Sequence, residues 1–334
     1  MGPSGGRAAT ITGLGIELPD RVVSNDELSK SLDTSDEWIG QRTGIRTRRI
    51  ADPGVCASDL GIVAARRALE AASLAPSSVD LLITASISPD QIFPATASRV
   101  AYEIGAVNAG ACDLSAGCTG FVYALALATG MVSSGIHQHV VVVGAEVISS
   151  VLDWEDRSTA VLFGDGAGAA VVSPANGGGR ILGFDLGNDG VGGDMLSLPA
   201  GGSRMPASEE TLRARAHYLK MSGSQVYRFA TRVVVDSARR VLEKCGRNID
   251  EVRLFVPHQA NLRIIDAATR RLGIGDDRVY TNLQRYGNTS CASIPLCLHD
   301  AKAEGRLQEG DLVLLMGFGA GLTWGACLME WGEA

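Results

Sequence analysis

Four short segments carry the residue types able to do covalent chemistry. In Ala116-Gly117-Cys118-Thr119-Gly120-Phe121 a cysteine stands between glycines where a loop runs into an apolar helical pattern. Glycine permits a tight turn there. The helix then presents its positive dipole end and unpaired N–H groups to the sulfur, which is expected to lower the thiol pKa. Cys291, in Asn288-Thr289-Ser290-Cys291, has nearly the same local setting, so helix position alone does not choose between the two thiols. His258, in Val256-Pro257-His258-Gln259-Ala260-Asn261, follows an apolar strand pattern and precedes a helix, the place where sites gather in α/β folds. Asn288 is either the cap of the helix that follows it or, beside an imidazole, an amide donor to a developing oxyanion. Gly317-Phe318-Gly319-Ala320-Gly321 follows a buried strand pattern, and its glycines let backbone N–H groups approach a ligand closely.

The elements that must hold these segments alternate between strand and helix. Residues 81–87, 140–144, 252–256 and 312–317 are short aliphatic runs bounded by turn residues. Residues 159–163 and 167–172 read as a hairpin about Gly164-Asp165-Gly166. Helical patterns cover 58–74, 117–133, 222–244, 261–272 and 289–303, and Ser24-x-x-Glu27 and Thr34-x-x-Glu37 read as capping boxes. The glycine- and charge-rich stretch 187–215 reads as a long surface loop over a site.

A faint internal repeat organises this pattern. Leu81 and Leu254 open strands, Cys118 and Cys291 open helices, and Val140 and Val313 lie in the next strands; each pair is separated by 173 positions. The chain therefore reads as a duplicated α/β fold, with halves at 1–175 and 176–334 joined near Ser173-Pro174-Ala175-Asn176.

Composition sets limits on function. The chain has 334 residues, 46% of them hydrophobic and 20% charged, with net charge −7. That balance argues against disorder, and the negative sign against a bulk nucleic-acid or anionic-membrane binder. Its 41 glycines, against a usual share of about 7%, fall in clusters that mark tight backbone sites. Seven cysteines without a C-x-x-C suggest neither a disulfide framework nor a zinc site, and a reducing cytoplasm is the expected location. His137-Gln138-His139 lacks an evident third metal ligand. The start of the chain shows no apolar signal core and, with Gly6, departs from the myristoylation pattern.

Taken together, AGCTGF, VPHQANLRII, GNTSCASIPL, DTSDEWIGQRTGIRTRRI from Asp33 and EDRSTAVLFGDGAGAAVV from Glu155 resemble the β-ketoacyl-acyl-carrier-protein synthase III family of the thiolase superfamily. The resemblance runs nearly the whole chain. It implies a five-layered αβαβα thiolase-like fold made of two duplicated halves. It also implies Cys118 as nucleophile, with His258 and Asn288 as its partners, which leaves Cys291 as a packing residue. An acyl group from acyl-CoA would pass to Cys118. Malonyl-acyl-carrier protein would then lose carbon dioxide between His258 and Asn288, and the enolate would attack the acyl-cysteine. No metal and no resident cofactor is implied.

Further roles carry over by position. Backbone N–H groups of Cys118 and Ala320 would form an oxyanion hole, although Ala320 stands where glycine is frequent. Trp38 and Arg157 would sandwich the CoA adenine, with Arg42 near the phosphates and Thr34 and Asn261 as polar contacts; Ser224 departs from a frequent asparagine. Phe93 would end the acyl pocket across a homodimer interface, favouring a short primer. Arg263, Arg270 and Arg271 would dock the acidic carrier protein, with Arg239, Arg240, Lys244 and Arg247 extending the patch. The rival readings are a relative from specialised metabolism that uses an unusual acyl group, a cysteine hydrolase using Cys118, His258 and Asn288, and a non-catalytic subunit.

Overall fold

The computed structural model describes residues 7–332, so the expectations drawn from the start of the chain lie outside the described residues. Two mixed sheets form the frame. The first has five strands in the order Ala9–Glu17, Gly166–Pro174, Val140–Glu146, Leu81–Ala85, Gly110–Leu114. The second has four, in the order Leu254–Pro257, Leu312–Gly319, Thr323–Glu330, Arg180–Asn188.

Helices separate and cover the sheets, and three hydrophobic clusters mark the interfaces between five layers. One joins the outer helices Ala57–Ala71 and Thr96–Ile104 to the first sheet. The second holds both sheets against the central helices Gly120–Ser134 and Ser293–Ala303. The third joins the second sheet to Gly223–Lys244 and Leu262–Leu272. Phe121, Val122, Leu125 and Leu298 in the central layer have no exposed surface. Each such side chain contributes about 1.5–3 kcal/mol relative to exposure. Residues 117–134 are long and apolar enough to cross a membrane by composition, yet the helix Gly120–Ser134 lies between the two sheets as a core element.

The 173-residue offset is a matter of register. Leu81 pairs with Val140 in a parallel ladder, and Leu254 pairs with Val313 in another. The two sheets therefore repeat the same strand–helix–strand arrangement, and each brings a loop-to-helix junction toward the other across the central layer. That symmetry places Cys118 of one junction near the Asn288–Cys291 turn of the other: a Cβ on Gly120, two residues after Cys118, would lie 2.9 Å from the Cys291 sulfur.

Several local expectations need correction. Residues 159–163 are not the first arm of a hairpin. Asp156 caps a short helix, Arg157–Ala160, and Phe163 instead forms an isolated bridge with Asn288. Gly164 marks close approach: a Cβ there would lie 2.3 Å from the Tyr286 carbonyl oxygen. The Asp165 carboxylate accepts the Ala51 and Ser149 N–H groups, which holds this turn inside the fold. The second capping box does not form: Ser35 is the cap and accepts the Trp38 N–H, and the Thr34 hydroxyl has no partner. Residues 187–215 are not a bare loop. They contain the turn Gly190–Met195, a strand Leu196–Ser197 paired with Lys220–Met221, and the helix Glu209–Arg213.

Candidate active site

Cys118, His258 and Asn288 line one cavity, although 140 and 30 residues of chain separate them in turn. The other walls are mainly apolar, with Leu162, Phe163, Leu196, Val226 and Phe318 among them. The three side chains arrive from three directions. Cys118 comes from the junction before Gly120–Ser134, His258 from the end of Leu254–Pro257, and Asn288 from the turn before Ser293–Ala303. All three are buried, at 4%, 1% and 5% exposure.

Glycine makes the nucleophile turn fit. Gly117 has φ +56°, in the left-handed region that disfavours a side chain. A Cβ on Gly117 would lie 2.6 Å from the Ala320 nitrogen, and one on Gly319 would lie 2.4 Å from the Cys118 nitrogen. The two segments thus meet backbone to backbone, with the Cys118 and Ala320 N–H groups close together. Neither N–H takes part in the backbone hydrogen bonds of the surrounding turns. Ala320 is not among the residues with positive φ, so a methyl group there carries no backbone strain.

The Cys118 thiol does not behave as its helix position suggests. Burial pushes it up to about 12, while the Ser290 hydroxyl acts to lower it and the buried Glu146 carboxylate to raise it. Removing water from the thiolate is the larger effect. Burial also pushes the His258 imidazole down to about 3, so it is neutral. The resting pair is thus a thiol and a neutral imidazole.

Asn288 supports the turn that follows it rather than capping the helix Ser293–Ala303, whose N-cap is Ala292. The Asn288 side-chain oxygen accepts the Ser290 N–H at 2.9 Å, an Asx turn that supports the following helical turn. The same bond identifies the oxygen and leaves Nδ2 as the remaining donor. Ser290 has φ +47° while fully buried, a conformation that this bond helps to hold.

Glu146, which the sequence did not single out, and Cys291 brace the centre. Glu146 ends the wholly buried strand Val140–Glu146 and accepts from Ser86, Ile87, Ser88 and the Cys291 N–H. It ties the first sheet to the Asn288 turn. A charged residue directly after an aliphatic run was the available signal. The Cys291 thiol donates to the Gly117 carbonyl at 3.1 Å and steadies the Cys118 turn.

The cavity opens outward through a mouth lined by Trp38, Arg42, Ser224, Tyr227, Arg228 and Arg263. Leu162, Gly223, Tyr227 and Asn261 line both spaces, so they form one channel. At its mouth the Arg42 and Arg157 guanidinium groups lie 4.5 and 5.2 Å from the Trp38 ring centroid. Arg157 also donates to the Asp33 carbonyl. Asn261 caps Leu262–Leu272 by accepting the Arg263 N–H and donates to the Arg42 carbonyl, so both ends of its amide are already engaged. Tyr227 at the junction of the two spaces was not anticipated.

The remaining candidates are dispersed. Phe93 is 86% exposed and lies away from Cys118 within this chain. Arg263 is at the channel mouth, and no carboxylate approaches Arg263, Arg270, Arg271 or Arg239 within 4 Å among the described residues. Arg240 and Lys244 instead share the Asp185 carboxylate, and Arg247 pairs with Glu251 and Glu330. His139 meets the Ser173 hydroxyl at 2.8 Å.

Comparison with known proteins places this arrangement. Residues 112–190 match the family described as 3-oxoacyl-[acyl-carrier-protein] synthase III, and residues 242–331 match its C-terminal family. The chain is 49% identical over 326 residues to the β-ketoacyl-[acyl-carrier-protein] synthase III of Caldanaerobacter subterraneus subsp. tengcongensis, covering 98% of each. The solved structure of the Thermus thermophilus synthase III superimposes with TM-score 0.90 at 47% identity, over 97% of this chain and 99% of that one. The priming β-ketosynthase of the R1128 polyketide pathway superimposes with TM-score 0.91 at 39% identity, over 98% of both chains. With its thiolase-like layers and a cysteine, a histidine and an asparagine in one cavity, the chain belongs to the β-ketoacyl-acyl-carrier-protein synthase III family.

Proposed function

We propose that the protein catalyses the decarboxylative condensation of a short acyl-CoA with malonyl-acyl-carrier protein, the step that initiates fatty-acid synthesis. The observation that carries this reading is the shared cavity of Cys118, His258 and Asn288, which joins one nucleophile to two neutral side chains with N–H groups to donate. Acyl-CoA enters along the channel with its adenine between Trp38 and Arg157 and its phosphates near Arg42. Cys118 attacks the thioester carbonyl, and CoA leaves as its thiol, carrying the proton that Cys118 gives up. Thioester-to-thiol exchange is nearly isoenergetic, so the acyl-enzyme keeps its reactivity.

Malonyl-acyl-carrier protein then delivers its thioester carbonyl between His258 and Asn288. Carbon dioxide departs and its bonding electrons remain as the enolate. Two N–H donors stabilise that developing charge in a site free of bulk water. The enolate carbon attacks the acyl carbonyl, whose oxygen faces the Cys118 and Ala320 N–H groups. Collapse expels the Cys118 sulfur and yields the 3-oxoacyl-carrier protein. This sequence needs neither a metal nor a resident cofactor.

A second cavity lies behind the nucleophile turn against Gly117, Ala320, Val151, Leu198 and Leu219. It suits the acyl chain. A second copy of the chain would complete it, because Ile92 and Phe93 are 82% and 86% exposed and the edge strand Gly110–Leu114 has a free side. Tyr102 and Val107 are exposed apolar side chains as well. A homodimer buries that edge and carries Phe93 to the partner's pocket; sedimentation as a monomer at micromolar concentration would rule that out. All seven cysteines are free, which suits a reducing cytoplasm.

The likeness to a polyketide priming synthase keeps a role in specialised metabolism as the second reading. A panel of acetyl-, branched, medium-chain and aromatic acyl-CoAs separates the two. Preference for acetyl supports fatty-acid priming, and preference for a bulky acyl group supports the other. The hydrolase reading is weakened by geometry. It needs Asn288 to orient His258, whereas the Asn288 oxygen is bound to Ser290 and His258 Nδ1 meets Ser293.

A further inference from the structure

The His258 backbone N–H donates to the Met316 carbonyl at 2.7 Å, which fixes where the side chain leaves the strand. Two neighbours fix the ring itself. Phe318 meets it edge to face, with centroids 5.3 Å apart at 68°. On another side, Ser293 Oγ lies 2.7 Å from His258 Nδ1. Ser293 opens the helix Ser293–Ala303 and is 1% exposed. The condensation steps described above make no use of it.

This hydrogen bond has two proton arrangements. In one, the Ser293 hydroxyl donates to Nδ1, and the ring carries its single hydrogen on Nε2. In the other, Nδ1–H donates to the hydroxyl oxygen, whose own proton must find another acceptor. Ser293 Oγ has no other hydrogen-bond partner among the described residues. A buried hydroxyl proton without an acceptor costs free energy, and only the first arrangement avoids that. Burial keeps the ring neutral, so its one hydrogen must sit on one nitrogen or the other.

We infer that Ser293 is a positioning residue whose hydroxyl donates to His258 Nδ1 and holds the imidazole in its Nε2–H tautomer, making His258 a hydrogen-bond donor to the reacting thioester oxygen. This rests on the reading of His258 as an enolate donor. The opposite tautomer would turn a lone pair toward that oxygen as negative charge develops on it. It would also present a base able to activate water against the acyl-cysteine. Ser293 thereby favours condensation over hydrolysis without touching substrate. No proton crosses between Ser293 and His258 during the reaction. The electrons released with carbon dioxide rest on the enolate, whose carbon spends them on the new carbon–carbon bond.

The test combines nitrogen-15 NMR of histidine-labelled protein with separate assays of the two half-reactions. His258 signals are identified by their loss in His258→Ala. In the unsubstituted protein they should show a protonated Nε2 and an unprotonated Nδ1. Ser293→Ala should populate the other tautomer and slow malonyl-carrier decarboxylation by roughly 10–100-fold, the scale seen when the partner orienting a functional imidazole is lost. Acylation of Cys118 should stay within about twofold, and Ser293→Thr, which keeps the hydroxyl, should restore decarboxylation. A proton on Nδ1 in the unsubstituted protein, or unchanged decarboxylation in Ser293→Ala, would overturn the inference. His258→Ala separates the two levels of the argument. If it decarboxylates normally, the donor reading of His258 fails; if it does not while Ser293→Ala does, Ser293 alone loses its role.

Discussion

The side-chain oxygen of Asn288 accepts the Ser290 N–H at 2.9 Å, so the amide cannot turn over without leaving a buried N–H unpaired. The amide nitrogen is thereby held as a donor, and Asn288 lines the cavity with Cys118. Under the proposed mechanism this relationship divides the labour of the site: Cys118 would carry the acyl group, while Asn288 would serve the later step in which charge reaches an enolate oxygen.

Asn288→Ala should therefore leave acylation of Cys118 nearly intact and slow decarboxylation by about 10²–10³-fold, the usual effect of losing one preorganised oxyanion donor. Asn288→Asp, which keeps the turn acceptor but removes the N–H donor, should be no better. Measuring acyl-CoA adduct formation and carbon dioxide release separately checks both. Equal loss of the two half-reactions would contradict the division of roles.

Gly319→Ala should damage the nucleophile without touching its chemistry. The added Cβ would lie 2.4 Å from the Cys118 nitrogen and 3.0 Å from its Cβ, and the first of these contacts is with backbone. Relief requires the two segments to part, at a cost of about 1–3 kcal/mol. A lower melting temperature together with slow acylation is expected. A fully active, equally stable variant would show that the close approach has no functional weight.

Arg263→Glu should raise KM for the carrier protein severalfold, most strongly at low ionic strength, and leave acyl-CoA kinetics unchanged. Arg263 lies at the channel mouth with no carboxylate partner among the described residues, whereas Arg240 and Lys244 share the Asp185 carboxylate. Arg240→Glu is thus the contrasting variant for docking. An unchanged carrier KM in Arg263→Glu would remove that residue from the docking face.

The buried pair sets opposite pH dependences. His258 falls from 6.5 to about 3 in the folded chain. The unfolded chain binds the extra proton between those values, so this contribution to stability is complete above about 6.5 and is lost as pH falls toward 3. For Cys118, raised to about 12, the contribution is complete below the unfolded thiol value and is lost as pH rises. Stability curves of His258→Gln should show less acid sensitivity between pH 6.5 and 3. Peptide-resolved alkylation should find Cys118 slower than a free thiol at pH 8, with no plateau by pH 10. An inflection near neutrality would instead mean a thiolate stabilised at rest.

Much of this was legible in the chain because parallel ladders demand aliphatic runs at matched spacing. The common offset of Leu81 to Leu254 and Val140 to Val313 corresponds to identical pairing in the two sheets. Local signals failed where distant segments decided the outcome. Glycines at 164 and 166 resemble a hairpin turn until the Tyr286 carbonyl is brought against Gly164. The helix start at Cys118 implies a lowered thiol pKa until burial outweighs it. Ser293 and Glu146 act through side chains that only the packed core brings together, and spacing along the chain carries no trace of the Ser293–His258 bond.

The most direct test of the account is intact-protein mass spectrometry of the enzyme mixed with acetyl-CoA, before and after malonyl-acyl-carrier protein is added. The account predicts one acetyl adduct that is absent in Cys118→Ala, and its discharge onto the carrier as a 3-oxoacyl thioester with release of carbon dioxide. An adduct that persists in Cys118→Ala, or one that discharges as free acetate whether or not the malonyl carrier is present, would contradict it.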